Sequence, residues 1–377
     1  MKTIDNPFGI HNYSGPEFFC DRVSETNTLI RNITNNSHTA FFALRRMGKT
    51  ALITHVFHKL SEEYDINCIY IDAYPAQNLS SFTNLLANGI YRLFPEKKGI
   101  GKKFWDTIKS LKPVITADPM TGNPELSLDI SQPKQLEKTI PQLLQFLDNQ
   151  QNKTVIAIDE FQQILTFPEK NVEAIIRTSM QTLKNISFIF CGSNQAMMHQ
   201  IFNNASKPFY ASCKSINLQK IDKNEYQTFI QQTFQKFKFT INETEVDEIL
   251  DYTQLHTYYV QFLCHEIFAR NQKIIQPETL QLIKQQILKD REGEFYQYRN
   301  LLTPTQWHLL KAFAKESVVF QPYNKLFISK YNLGTPAIVK RTLDALIIKE
   351  MVYVNNSIEK PYYSVYDKFL MRWLQNM

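Results

Sequence analysis

Residues 41–50 constrain the fold of this chain more than any other segment. They read Phe-Phe-Ala-Leu-Arg-Arg-Met-Gly-Lys-Thr, and an amphipathic helical pattern follows directly. A loop of this kind wraps backbone N–H groups around the β- and γ-phosphates of a nucleotide and points the N-terminus of a helix at them. Gly48 would leave room for close approach, Lys49 would supply a positive charge, and Thr50 a hydroxyl ligand for Mg²⁺. The residues expected to contact the nucleotide are Leu44, Arg45, Arg46, Met47, Gly48, Lys49, Thr50 and Ala51.

This loop departs from the full phosphate-loop pattern at one position. The pattern has a glycine five residues before Gly48, and this chain has Ala43 there. The surrounding context agrees with the motif, because residues 40–44 are an apolar run typical of a strand and residues 51–57 continue as a helix. The order of strand, loop and helix is the one that the motif requires.

Two further predicted strands end in polar residues suited to nucleotide chemistry. Residues 154–158 form a buried-type strand that leads into Asp159 and Glu160, as in a Walker B element. Asp159 would lie near the Mg²⁺ ion and Glu160 near the attacking water. Residues 187–191 form another such strand, and Ser193 or the following asparagine could sense the γ-phosphate. Each pattern could also be an ordinary turn or helix cap, but all three would then have to occur in this order by coincidence.

The spacing of strands and helices predicts an α/β core with a parallel sheet covered on both faces. A chain of 377 residues is long enough for two or three domains. We expect the core to span residues 1–215, with an inserted helix and β-hairpin at about 96–135 that separates Lys49 from Asp159. The predicted strands are 40–44, 67–72, 154–158 and 187–191.

The pattern after the core is helical to about residue 297 and then changes. Residues 216–297 contain four helical patterns that predict a lid domain. Residues 298–377 begin with a helix capped by Thr303-Pro304, continue with two more helices, and end with two short strands. Three helices followed by a two-stranded wing are typical of a winged-helix domain.

Composition excludes several classes of protein. The five cysteines have no spacing that suggests a disulfide framework or a zinc site, and no apolar run approaches 18 residues. We therefore expect a cytoplasmic protein without a membrane segment. The net charge of +6 permits contact with nucleic acid, although a mild excess spread over such a long chain is more often a solvated surface.

Taken together, these segments resemble the archaeal-type ATPases of the AAA+/STAND group of P-loop NTPases. The resemblance implies an ATP site between the edge of the sheet and the helical lid, with Arg22 near the adenine and Ser193 or Asn194 in the sensor position. Many relatives carry Gly-x-Pro in the lid where this chain has residues 255–257, so the lid contact to the phosphates stays unassigned. The segments that carry the resemblance are 19–22, 45–50, 158–162, 190–193, 207–210, 256–261, 367–370 and Trp373.

Three other candidate sites have simpler explanations. His55 and His58 stand three residues apart on the helix after the phosphate loop and could bind a metal, but no third ligand is evident. Arg177 could serve a neighbouring subunit as an arginine finger, or it could be an ordinary surface arginine. Cys264 and His265 are more typical of packing within the lid.

The predicted third helix of the winged-helix domain carries Lys340 and Arg341, which could meet the phosphates of double-stranded DNA. Asp344 and Glu350 dilute this positive charge. Docking of DNA, docking of a protein partner or a second copy of the chain, and simple packing all remain open. The neighbouring lysines are Lys325, Lys330, Lys349 and Lys360.

The sequence as a whole predicts an ATP- and Mg²⁺-dependent ATPase that acts as a nucleotide-driven switch and binds ATP or ADP. Lys49 would bind the β- and γ-phosphates, and Thr50 and Asp159 would hold Mg²⁺. Glu160 would polarise the attacking water, and Ser193 would read the γ-phosphate. The alternative is a non-catalytic ATP-binding module that docks DNA or protein.

Overall fold

The computed structural model describes residues 6–10, 13–95, 99–117, 122–129, 133–355 and 360–377. The chain forms two compact units. One consists of Arg22–Leu218, and the other combines Met1–Asp21 with Gln219–Met377.

The unit Arg22–Leu218 is built on a five-stranded parallel sheet. Its strands stand in the order β2-β5-β6-β1-β7, and every residue of β1, β5 and β6 is buried, so both faces of the sheet are covered. This confirms the predicted α/β fold, in which near-continuous apolar runs become strands buried on both sides. The sheet strands are β1 (Thr39–Phe42), β2 (Asn67–Asp72), β5 (Thr154–Asp159), β6 (Ile186–Gly192) and β7 (Lys214–Asn217).

Seven α-helices in the described part of this unit accompany the sheet. Short 3₁₀ turns occur in this unit at Lys109–Leu111 and Phe161–Thr166, and another, Pro16–Phe18, belongs to the second unit. The helices are α1 (Val23–Thr34), α2 (Lys49–Glu63), α3 (Leu79–Leu93), α4 (Ile100–Ile108), α5 (Pro133–Asp148), α6 (Val172–Met180) and α7 (Gln195–Phe202).

The sequence analysis missed β7, the edge strand Lys214–Asn217. Its residues are Lys-Ser-Ile-Asn, and three of the four are exposed, so it lacks the apolar run that marks the other strands. An edge strand needs only one neighbouring strand, and β7 forms its backbone hydrogen bonds with β1. Its side chains give no sequence pattern from which this pairing could be predicted.

The segment for which we expected a helix and a hairpin contains α4 and an antiparallel pair of strands, β3 (Val114–Ala117) and β4 (Pro124–Ser127). Side chains of α3 hold this hairpin, because Asn88 and Asn84 accept hydrogen bonds from the backbone N–H groups of Leu126 and Leu128 at 2.8 and 2.7 Å. Residues 96–98, 118–121 and 130–132, which belong to the same expected insertion, lie outside the described residues.

The second unit contains nine α-helices in its described residues and a two-stranded wing. The capping box at Thr303 and the proline after it start α13 as expected, and Val319 bridges to Tyr363 beside the wing. The elements are α8 (Lys223–Lys236), α9 (Glu243–Thr253), α10 (Thr257–Ala269), α11 (Pro277–Asp290), α12 (Glu292–Leu301), α13 (Pro304–Glu316), α14 (Lys325–Lys330), α15 (Pro336–Ile348), β8 (Val352–Asn355), β9 (Tyr362–Val365) and α16 (Lys368–Gln375).

One hydrophobic core runs through this whole unit. It joins buried residues of α8–α11 to those of α13, α15 and α16, and it includes Phe8, whose ring centroid lies 4.7 Å from that of Phe234. The guanidinium of Arg372 on α16 adds hydrogen bonds to the carbonyls of Tyr252 and Asp251 on α9, at 2.9 and 2.7 Å. These contacts group the chain differently from the expected limits of 1–215, 216–297 and 298–377, because residues before Arg22 and the whole helical region share one core with the wing.

Candidate nucleotide-binding site

The phosphate loop lies between β1 and α2. Gly48 has φ 85° and directly precedes Lys49, the first residue of α2, while Arg46 also has a positive φ of 63°. Gly48 thus adopts a left-handed conformation at the helix start that other residues adopt at a cost. Ala43 is fully buried and is not among the residues with positive φ, so the backbone there does not need the glycine of the full pattern.

Three strand ends bring polar residues together at the carboxyl edge of the sheet. The ammonium of Lys49 forms an ion pair with Asp159, and its Nζ lies 3.1 Å from Oε1 of Glu160. Lys49 and Asp159 are 8% and 5% exposed. Burial alone would lower the pKa of Lys49, but the carboxylates of Asp159 and Glu160 outweigh it and raise that pKa. The lysine is therefore firmly charged.

Asp159 receives hydrogen bonds on both carboxylate oxygens. Oδ1 accepts the backbone N–H of Glu160 at 2.8 Å, and Oδ2 accepts the Tyr70 hydroxyl at 2.6 Å. Thr50 Oγ1 lies 3.4 Å from the same Oδ2. A hydroxyl beside a carboxylate, with phosphate oxygens and waters completing the shell, is the donor set that Mg²⁺ takes at nucleotide sites, so these residues fit that ion.

Glu160 combines a left-handed backbone conformation with a side chain that makes several polar contacts. Its φ is 49°, in the left-handed region, and it lies directly after β5. Ser193 Oγ donates to Oε2 at 2.8 Å, and the amide of Gln162 donates to the same oxygen. Burial would raise the pKa of Glu160, but Lys49 and these donors lower it overall, so the carboxyl is ionised.

Ser193 links Glu160 to the phosphate loop, because Arg45 Nε donates to its hydroxyl at 3.2 Å. The neighbouring Asn194 instead caps α7, where its side chain accepts the Met197 N–H at 3.1 Å. Of the two sensor candidates, Ser193 is therefore the one whose side chain contacts Glu160 and the phosphate loop. Gly192 permits this arrangement, since a Cβ there would come within 2.2 Å of the Gln162 side chain.

The remaining predicted contact residues surround this cluster to different degrees. Arg45, Arg46 and Thr50 are exposed, while Met47 is buried. Leu44, Gly48 and Ala51 are half-buried. The structure thus brings Lys49, Thr50, Asp159, Glu160 and Ser193 together, and their roles toward a nucleotide stay predictions.

Arg22 lies just before α1, with φ 67° and a buried side chain. Its Nη1 donates to Glu25 at 3.0 Å, and its buried Nη2 has no hydrogen-bond partner among the described residues. An unsatisfied buried donor is costly, and a ligand atom is one way to satisfy it. Its assignment to the adenine stays a prediction.

Sequence reasoning did not single out Tyr70 or Gln162. Tyr70 is a typical β-strand residue, and nothing in its type reports a hydrogen bond to a residue 89 positions away. Gln162 follows the Asp-Glu pair by two residues, and this proximity was the one available signal.

The histidines among the other candidate residues make contacts within the protein, and the role of Arg177 toward a neighbouring subunit stays open. His58 pairs with Glu62 on its own helix, and no group of three or more metal-binding side chains occurs among the described residues. Arg177 lies near His38, which precedes β1, so it stands at the amino edge of the sheet, away from the phosphate loop. His256 is fully buried against Tyr259, and His265 bonds the Phe8 carbonyl, so both act in packing.

Comparison with known proteins identifies the family and the fold of the chain. Residues 19–261, more than half of the chain, match a family described as an ATPase domain predominantly from Archaea, and residues 293–376 match a probable winged helix domain. No curated protein matches the chain. None of the helices in the parts of the chain that the structure describes is long and apolar enough to cross a bilayer.

Solved structures of other proteins share this fold, among them three from archaea. A Walker-type ATPase of Pyrococcus abyssi is 15% identical with a TM-score of 0.67, over 98% of this chain and 99% of that one. The ORC2 protein of Aeropyrum pernix, in ADPNP-ADP complexes, is 14% identical with a TM-score of 0.60, over 99% and 97%. The ORC1 protein of the same organism, in complex with DNA, is 13% identical with a TM-score of 0.51, over 96% and 94%.

At these identities the likeness establishes the fold: a P-loop NTPase sheet with a C-terminal winged helix. The family match covers both the phosphate loop and the strand that carries Asp159 and Glu160. The chain therefore belongs to the family of ATPase domains found predominantly in Archaea.

Proposed function

We propose that this protein binds ATP with Mg²⁺ and hydrolyses it slowly, as a nucleotide-driven switch. The observation that carries the proposal is the convergence of Lys49, Asp159, Glu160 and Ser193 at one edge of the sheet. Phosphoryl transfer depends chiefly on positioning and electrostatic stabilisation, and this cluster supplies both.

Each residue has a role that follows from its contacts. Lys49 would bind the β- and γ-phosphates, which must draw its ammonium away from the carboxylates of Asp159 and Glu160. Thr50 and Asp159 would hold Mg²⁺, directly or through water. The ion, when bound, neutralises charge on the phosphate oxygens. The other residues named as nucleotide contacts, Arg22, Leu44, Arg45, Arg46, Met47, Gly48 and Ala51, would line the nucleotide.

Glu160 would orient the attacking water and take up its proton. Its carboxylate is already ionised and is fixed by Ser193 and Gln162, as a general base needs to be. Arrival of a γ-phosphate near Lys49 and Arg45 would compete for the donors that now hold Glu160 and Ser193. Ser193 would in this way report the γ-phosphate to the base.

The test compares turnover with binding in Glu160→Gln. Glutamine keeps the shape and a hydrogen-bonding group but cannot accept the proton, so ATP should bind nearly normally while hydrolysis falls by roughly 10²-fold or more. Phosphate release measures turnover, and calorimetry measures binding. Glu63→Gln, an exposed residue at the end of α2, is the control. Equal turnover in Glu160→Gln and the unmodified protein would indicate the alternative, a non-catalytic ATP-binding module.

We propose that the switch acts through the C-terminal unit. Helices α8–α11 and the winged helix share one core, so a change in the helical region moves the wing with it. Lys340 and Arg341 are exposed on α15 and could contact DNA phosphates, and ORC1, a protein of this fold, has been solved in complex with DNA.

A protein partner is the second candidate, because the exposed face of α15 is partly apolar. Ile348 is 82% exposed, Ile338 is also exposed, and Asp344 lies between the two basic residues and Ile348. A second copy of the chain could dock on the same surface.

All five cysteines of the protein are free thiols, which favours a cytoplasmic location for the protein.

A further inference from the structure

We propose that Tyr70 is a positioning residue of the divalent-cation site and sets the affinity of Asp159 for the metal. The inference rests on the proposed function, since it concerns the cation that accompanies the nucleotide. Tyr70 belongs to β2, which carries none of the residues assigned above to the nucleotide.

The sheet register aims Tyr70 at Asp159. Residues of β2 and β5 pair in parallel, Tyr70 with Ala157 and Asp72 with Asp159. Side chains of paired residues lie on the same face of a sheet, and residues two apart on one strand also share a face. Tyr70 therefore stands beside the small side chain of Ala157, on the face from which Asp159 projects.

The contact is short and specific. The Tyr70 hydroxyl donates to Asp159 Oδ2 at 2.6 Å, while Thr50 Oγ1 lies 3.4 Å from the same oxygen. The other oxygen, Oδ1, accepts the Glu160 N–H and pairs with Lys49. Tyr70 and the Glu160 N–H thus hold the carboxylate from opposite sides, which fixes its rotation.

Such a fixed carboxylate matters most for a small cation. Mg²⁺ requires nearly ideal octahedral geometry at about 2.0–2.1 Å, so a carboxylate that rotates freely binds it less well. Hydrogen bonds to a ligating carboxylate orient it, and removing such a partner typically lowers metal affinity by about 10–100-fold. The phenol would keep its bond to Asp159 while the metal site fills.

The experiment measures Mn²⁺ affinity of the ADP-bound protein by electron paramagnetic resonance, which reports free Mn²⁺ directly. Tyr70→Phe removes only the hydroxyl, and we expect Mn²⁺ affinity to fall by about tenfold. ADP affinity in EDTA should stay unchanged, because Tyr70 acts on the metal site alone. A general structural defect would lower both affinities.

Two further variants make the outcome decisive. Tyr74→Phe removes the hydroxyl of an exposed tyrosine just past β2, and it should bind Mn²⁺ like the unmodified protein. Thr50→Ala removes a proposed ligand and should lose Mn²⁺ affinity. If Thr50→Ala loses affinity and Tyr70→Phe does not, or binds more tightly, only the role of Tyr70 is overturned. If Thr50→Ala binds Mn²⁺ normally, or the unmodified protein binds no ADP, the proposed function fails with it.

Discussion

The carboxyl edge of the sheet and the exposed face of α15 both carry charged residues, but the two regions organise them in opposite ways. At the sheet edge, Lys49, Asp159 and Glu160 come from two strand ends and share direct contacts. On α15, Lys340 and Arg341 are exposed, and Asp344 follows on the same helix. The first region concentrates charge within a buried cluster, and the second spreads it over a solvated helix.

The difference determines how strongly each region can bind phosphate. Attraction between unit charges at about 4 Å rises from about 1 kcal/mol in water to about 4 kcal/mol at an effective dielectric constant near 20. Surface charges are also screened by salt beyond about 8–10 Å. One removed charge should therefore abolish function at the sheet edge, whereas α15 should lose function gradually and depend on salt.

Removal of the Lys49 ammonium is the strongest test of this contrast. In Lys49→Ala the phosphates lose their main cation, and the buried Asp159 and the half-buried Glu160 are left as adjacent carboxylates that repel an anion. A charge-assisted bond in a buried site contributes about 1.5–3 kcal/mol, and the unpaired carboxylates add to its loss, so ATP affinity should fall by roughly 10²-fold or more. Calorimetry with ATP and Mg²⁺ measures it.

The matched control for this change is Lys184→Ala, which removes an exposed lysine of the same unit. It should bind ATP as the unmodified protein does. Equal ATP affinity of Lys49→Ala and Lys184→Ala would show that the charged residues at the sheet edge do not bind nucleotide. The sheet edge would then not differ from α15 in how strongly it binds phosphate.

The sheet edge was largely predictable from the sequence. Apolar runs of strand length end at Asp159 and at Gly192, and parallel strands place their carboxyl ends at one edge, so the meeting of Lys49, Asp159 and Ser193 followed from order alone. The fold class and the family were predicted for the same reason, and both are confirmed.

What escaped prediction depends on contacts between distant residues. Tyr70 contributes through sheet register, and register is not visible until the order of the strands is known. The shared core of α8–α11 and the winged helix needs the side-chain packing of α16, since helical periodicity shows only that one face is apolar. β7 was missed because its own residues carry no apolar pattern.

A smaller effect is expected from charge reversal on α15. If the winged helix docks on DNA, its contacts should be mainly to phosphates from Lys340, Arg341 and neighbouring lysines, because few residues on α15 can read base edges. Lys340→Glu with Arg341→Glu should weaken duplex binding by at least about tenfold at low salt, and it should lower the slope of log affinity against log salt by about 2. ATP hydrolysis should be unchanged.

Fluorescence anisotropy with a short duplex measures this change, and Arg270→Glu with Lys289→Glu is the control with the same net charge, on exposed positions outside α15. If both double variants weaken binding equally, general charge and not α15 attracts DNA. If the unmodified protein binds no duplex at low salt, with or without ATP, the apolar face of α15 becomes the docking surface for a protein.

His38 lies at the amino edge of the sheet, opposite the cluster around Lys49, and it is half-buried. It therefore tests whether burial of a polar group affects nucleotide binding when that group does not belong to the cluster. Burial, with a contribution from Arg177, lowers its pKa from 6.5 to about 4, and its Nδ1 accepts the Phe188 N–H at 3.2 Å. Between pH 6.5 and 4 the unfolded chain therefore takes up a proton that the folded chain does not. Stability is retained above pH 6.5 and falls as the pH drops through this window.

We expect the unmodified protein to lose about 2 kcal/mol more stability between pH 7 and pH 5 than His38→Asn, which keeps an acceptor for Phe188 but has no proton to take up. Urea unfolding at the two pH values measures this difference. Gln181→Asn, a change at an exposed position that adds and removes no titrating group, should behave like the unmodified protein. ADP affinity at pH 7 should be the same in all three, because a buried group outside the cluster contributes to stability and not to binding. A loss of ADP affinity in His38→Asn would show that a residue at the amino edge of the sheet also affects nucleotide binding. The cluster around Lys49 would then not be sufficient to explain that binding.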